Sequence, residues 1–146
     1  MSFGLVYCPV LDSQIMKTNL QIGETRIFHK KVTDEDLARF NGEVVHAVCS
    51  TFALAQALEW ASRMFVLDAK EPDEEGIGTA LRINHQHPAF PGETITVAAT
   101  LRELNQNELV CAVVAKVGAR IIADGETRQK ILKKEKLAKL LYPKRS

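Results

Sequence analysis

The stretch VCSTFALAQALEWASRMFVLD, residues 48–68, decides how the rest of the chain is arranged. Phe52, Leu54, Leu58, Trp60, Met64, Phe65 and Leu67 recur in it at helical spacing but point in several directions around a period of about 3.6 residues, so more than one face calls for burial. Its polar residues are few: Ser50 and Thr51 at the start, then Gln56, Glu59, Ser62 and Arg63. The reading is a long central helix with a sheet wrapped around it.

Composition is compatible with that plan. A chain of 146 residues, 46% hydrophobic and 25% charged, can bury a core as one domain without metals or disulfides. We read residues 1–146 as a single domain, with 1–22 an N-terminal extension and 133–146 a basic C-terminal tail. The net charge of +1 gives no general attraction to nucleic acid or to a membrane surface. Cys8, Cys49 and Cys111 are odd in number and lack metal-ligand spacing, which points to a reducing, cytoplasmic setting and to no metal site. The N-terminal run is interrupted by Pro9 and Asp12 and lacks the basic start of a signal peptide, and no run reaches the roughly 20 apolar residues of a membrane span.

Outward from the helix the pattern becomes strand-like. Residues 24–32, ETRIFHKKV, alternate, with Thr25, Ile27 and His29 on one face and Arg26, Phe28 and Lys30 on the other. Thr33 followed by Asp34, Glu35 and Asp36 looks like a helix start, predicting a short helix ending near Phe40-Asn41-Gly42 and then a loop over 42–47. After an acidic loop at 69–75, strands are expected over 78–87, 93–104, 108–117 and 120–134, with a kink at Asp124-Gly125 and a short helix in the tail. Strand, short helix, long helix and antiparallel meander is the order of a hotdog fold, an α+β architecture in which a sheet wraps one long central helix. The rival arrangement packs the helix on one sheet face.

Four positions carry chemical interest. Thr51 stands where a helix N-terminus offers N–H groups and positive partial charge, or it is simply an N-cap. Glu59, eight residues on, projects about 80° around the helix from Thr51 and is either a buried carboxylate or the partner of Arg63 at i, i+4. His85 shares a strand face with Leu81 and Ile83, and His87 is its rival at the strand end. Gly76-Ile77-Gly78 is too short a signal for a phosphate loop, and no GxSxG elbow supports Cys49 or Ser50 as nucleophile.

The segments STFALAQALEWA and GIGTALRINHQHPAFPGETITVAATLREL resemble the hotdog thioesterases, most closely the fluoroacetyl-CoA thioesterase-like group. The similarity covers about residues 24–132: Thr51 heading the helix, Glu59 in a Leu-x-Glu-Trp-Ala-like run, Gly78 at a G-x-G-T strand start, His85 seven residues later and the Pro91-Gly92 turn. The resemblance implies an acyl-CoA thioesterase that hydrolyses a small or medium acyl thioester, with Thr51, Glu59 and His85 as the catalytic set. A thioester carbonyl set against the helix N-terminus gains stabilisation as its oxygen becomes negative, with the backbone N–H of Gly78 as a further donor, and the hotdog fold implies a homodimer or dimer of dimers. Phe40, Val44, Val45, Phe52 and Phe90 are candidates for the pocket wall. Coenzyme A enters only as part of the substrate, and no metal or other cofactor is expected. Many relatives carry G-x-H-x-R in the last strand; here Gly125-Glu126-Thr127-Arg128-Gln129 has Thr and Gln at those positions, with Arg128 one place off as a substrate-binding candidate. Two other readings are a hotdog hydratase or dehydratase and a non-catalytic acyl-CoA binding module.

Overall fold

The computed structural model describes residues 19–144. The run from Leu5 to Leu11, whose sequence suits either a sheet edge or docking on the core, lies outside the described residues. Helix α1, Thr51–Ala69, lies against a five-stranded antiparallel sheet. The sheet is built from β1 (Thr25–Lys31), β4 (Glu74–His85), β5 (Thr94–Asn105), β6 (Glu108–Val117) and β7 (Arg120–Lys133), in the order β1-β5-β6-β7-β4. Only β5, β6 and β7 form a meander of successive hairpins. The residues after β4 cross to the opposite side instead of turning back on it: the N–H groups of Gln86 and His87 both donate to the Ile122 carbonyl, and Cys49 N–H donates to Ala89.

The helix buries Ala53, Leu54, Ala57, Leu58, Ala61, Phe65, Val66 and Ala69 against Ile95, Val97, Ala99, Leu101, Cys111, Val113, Ile122 and Ile131. Small alanines on this face let the helix sit close to the sheet, and removal of such apolar surface from water is the main stabilising term. All five strands of the sheet reach the helix, as the expected wrapped arrangement requires, and the side of the helix turned away from the sheet is left open. Phe52 is 86% exposed, and Trp60 and Leu67 are also exposed in the single chain.

The segment before the helix also differs from expectation. Thr33 and Asp36 do form a capping box, but the helical turn it starts is a 3-10 turn of three residues, Asp34–Asp36. Strand β2 (Leu37–Phe40) and strand β3 (Glu43–Cys49) follow as a hairpin, in place of the predicted helix and loop. Asn41 and Gly42 both take positive φ, 55° and 79°, the geometry of a two-residue hairpin turn, and Val44, Val45 and Val48 favour the strand beyond it. The strand after the acidic loop starts earlier than expected, at Glu74, and the tail forms helix α2, Lys134–Leu141, which anchors through buried Leu137. β7 runs unbroken through Asp124-Gly125. Gly125 permits close approach instead, since a Cβ there would lie 1.9 Å from the Arg82 carbonyl oxygen.

Candidate active site

Two clusters hold the sequence-predicted polar residues. At the helix N-terminus Ser50 is the cap: its Oγ accepts a hydrogen bond from Ala53 N–H at 2.9 Å. Thr51 is thereby released from capping, and its Oγ1 lies 3.0 Å from His85 Nδ1 at the end of β4. His87 does not compete for this position, because its Nδ1 lies 2.8 Å from the Ile121 carbonyl oxygen, an acceptor to which the ring donates. Thr51 also opens on a cleft of about 830 Å³ between the β2–β3 hairpin and the helix, lined by Leu37, Ala38, Phe40, His46 and Phe52 among others. Of the pocket-wall candidates Phe40 and Phe52 line this cleft, whereas Val44, Val45 and Phe90 are exposed elsewhere.

Glu59 belongs to the second cluster. The expected alternative, an ion pair with Arg63, is not formed, because Arg63 pairs with Glu75 at 2.9 Å. The Glu59 side chain instead lies over β4 at Gly78, where an added Cβ would come within 2.8 Å of Oε1. Gly78 faces Gln129 across the β4–β7 ladder. Gln129 is only 6% exposed and donates from Nε2 to the Glu59 carbonyl at 3.3 Å. One turn on, Thr127 Oγ1 donates to Ser62 Oγ at 2.6 Å, and Ser62 donates to the Leu58 carbonyl. Gln129 was missed as a site residue, although period two with Thr127 already placed it on the helix side of β7.

Arg128, by the same alternation, projects from the opposite face of the sheet. It is held there by Glu126 at 3.1 Å and Glu108 at 3.2 Å, so the structure does not bring it to either cluster. Cys49 is fully buried, and burial, with the charge of Asp36 added, pushes its thiol up to about 11. It is a core residue and no nucleophile. Among the described residues no group of His, Cys, Asp and Glu is arranged to hold a metal ion, and no helix is long and apolar enough to cross a membrane.

The two clusters are separated along both elements that carry them. Eight helical positions between Thr51 and Glu59 span about 12 Å of axis, and seven strand positions between Gly78 and His85 span roughly 20 Å. A single chain therefore presents a Thr–His end and a Glu–Gly end.

Comparison with known proteins connects this geometry to a family. Residues 32–135 match the family model described as fluoroacetyl-CoA-specific thioesterase. A curated fluoroacetyl-CoA thioesterase of Streptantibioticus cattleyicolor is 32% identical over 89 residues, covering 61% of this chain and 64% of that protein, somewhat under two thirds of its length. Among solved structures, a hypothetical protein of Thermus thermophilus described as a thioesterase superfamily member superposes with a TM-score of 0.79 at 32% identity, over 83% of this chain and 90% of that one. The fluoroacetyl-CoA thioesterase structure gives a TM-score of 0.80 at 25% identity, over 88% and 100%. A variant of that enzyme in complex with fluoroacetate and CoA gives 0.76 at 26%, over 81% and 99%. These neighbours share the hotdog arrangement of a long helix on an antiparallel sheet, and the chain belongs to the fluoroacetyl-CoA-specific thioesterase family.

Proposed function

We propose that this protein hydrolyses acyl-CoA thioesters to the free acid and CoA, using Thr51, His85 and Glu59. The observation that carries the reading is the Thr51–His85 contact at the N-terminus of a helix whose cap is supplied by Ser50. The first-turn N–H groups of Thr51 and Phe52 precede the first helical hydrogen bond, from Leu54 N–H to Ser50 C=O. A thioester carbonyl set against them gains stabilisation as its oxygen becomes negative in the tetrahedral intermediate. Thr51 orients the imidazole of His85. Glu59 accepts a proton from the attacking water, the C–S bond breaks, and His85 delivers a proton to the departing thiolate. Phe40 and Phe52 line the cleft that takes a small or medium acyl group, and CoA is needed only as part of the substrate.

The separation of the two ends supports the participation of a second chain. β4 is an edge strand, and residues 78–82 along it are exposed in the single chain. Antiparallel pairing of β4 with its copy about a two-fold axis brings the Glu59–Gly78 end of one chain toward the Thr51–His85 end of the other, and removes an exposed edge. The working unit is then a homodimer, alone or within a dimer of dimers. Buried free Cys49 and Cys111 suit a reducing cytoplasm.

The test is CoA release from a panel of acyl-CoAs. Turnover by wild type that falls by about 10²-fold in Glu59→Ala and in His85→Ala, both folded, supports the reading. Acyl-CoA binding with no CoA release defeats it in favour of a binding module. Modification of the acyl chain with the thioester intact defeats it in favour of a hydratase.

A further inference from the structure

A polar seam runs between α1 and β7 in a region otherwise packed with apolar side chains. It consists of Thr127 to Ser62 at 2.6 Å, Ser62 to the Leu58 carbonyl at 3.2 Å, and Gln129 Nε2 to the Glu59 carbonyl at 3.3 Å. The three bonds engage the helix between residues 58 and 62, the turn that carries Glu59. Ser62, Thr127 and Gln129 are the buried polar residues of the described chain. Buried polar groups that apolar residues of similar size could replace add little net stability, and their effect is on which geometry is adopted.

Gln129 sits at the end of the seam next to the carboxylate. It faces Gly78 across the ladder, and directly opposed positions in such a ladder place their Cβ sites about 5 Å apart. The Gly78 Cβ site is the one Glu59 Oε1 approaches within 2.8 Å. Gln129 therefore flanks the carboxylate on the β7 side while it holds the carbonyl of the same residue. A side chain that grips the backbone of Glu59 and fills the space on one flank leaves the carboxylate the other flank, over Gly78. No ion pair among the described residues holds that carboxylate in place, so packing and the seam must do it.

We infer that Gln129 is a positioning residue for Glu59, holding its carboxylate over Gly78 for the proposed hydrolysis, on which this role rests. Gln129→Met keeps the length and the packing and removes the donor. The expected result is a fall in kcat of about tenfold with KM unchanged, because the acyl-CoA contacts at the Thr51 end are untouched. In a Glu59→Gln background the same change is expected to cost nothing further, the non-additivity of two residues acting through one group. A Gln129→Met enzyme with wild-type kcat, or one whose loss simply multiplies that of Glu59→Gln, overturns the assignment. A crystal structure of Gln129→Met decides the matter without activity: Oε1 is expected to leave Gly78, and a Glu59 side chain unmoved overturns the positioning role. Absence of turnover in wild type would sink the proposed function alone, while the crystallographic comparison would still judge Gln129.

Discussion

The Oγ1 of Thr51 and the Nδ1 of His85 lie 3.0 Å apart although 34 residues separate them in the chain. The pair forms because Ser50 takes the capping role, so the threonine one residue later is free to turn toward the end of β4. Thr51→Ala is expected to lower kcat by about 10²-fold, and Thr51→Ser, which keeps the hydroxyl, to retain most of it. Steady-state kinetics beside a thermal melt separate this from misfolding. Equal losses in both variants would show that the methyl group, and not the hydroxyl, matters.

Gly78 and Gly125 are both intolerant of a side chain, for different reasons. A Cβ at 78 meets the flexible end of Glu59 at 2.8 Å, whereas one at 125 meets the backbone oxygen of Arg82 at 1.9 Å. Gly78→Ala should fold with a stability change under about 1 kcal/mol yet lose activity, because the carboxylate gives way. Gly125→Ala should lose about 3 kcal/mol or fail to fold, since a paired strand cannot step aside. Urea unfolding of the two variants checks the contrast.

Mixing inactive variants tests the two-chain site. Glu59→Ala and His85→Ala, unfolded together and refolded as a mixture, should recover about a quarter of wild-type activity, because half of the dimers are hybrids with one of two sites intact. A mixture as inactive as its components would place Glu59 and His85 in one chain's own site, against the geometry.

Asp36 gives the fold an acid-sensitive joint. Partial burial raises its pKa, but the Thr33 N–H, the Lys30 ammonium and the Thr33 hydroxyl outweigh that, and the carboxyl sits below its ordinary 3.8. A folded pKa depressed below the unfolded value contributes stability that is present above the unfolded value and lost as pH falls through the folded one. Part of the fall in melting temperature below about pH 4 should therefore come from Asp36, and Asp36→Asn should reduce that part. At neutral pH the variant should melt about 3 °C lower, the size expected for losing a cap in a domain of this length.

Cys49 and Cys111 should resist alkylation in the native protein at pH 8. Burial raises both thiols to about 11, for Cys111 against the opposing hydrogen bonds of Ser62 and Thr127. Mass spectrometry after iodoacetamide treatment should find both unmodified until denaturant is added, and Cys49→Ala should keep its turnover.

Much of the architecture was legible in the chain. Period 3.6 over residues 48–68 and period two from 94 onward are local consequences of side chains facing a core, so the long helix and strands β5, β6 and β7 fell close to where they were expected. The β2–β3 hairpin was misread because the capping box at Thr33 and Asp36 is a true local signal. It starts only a 3-10 turn, and the Asn41-Gly42 turn one four-residue strand later decides the rest.

What the sequence determined by itself were the long helix and strands β5, β6 and β7, because their periodicity depends on neighbours a few positions apart, together with the spacing of the family motif. Only the tertiary structure decided that His85 and not His87 meets Thr51, and that Arg63 turns to Glu75 and leaves Glu59 over Gly78. Each of these depends on a contact between residues a dozen or more positions apart, set by strand order and register, and no local pattern encodes which of two similar neighbours will be the one within reach.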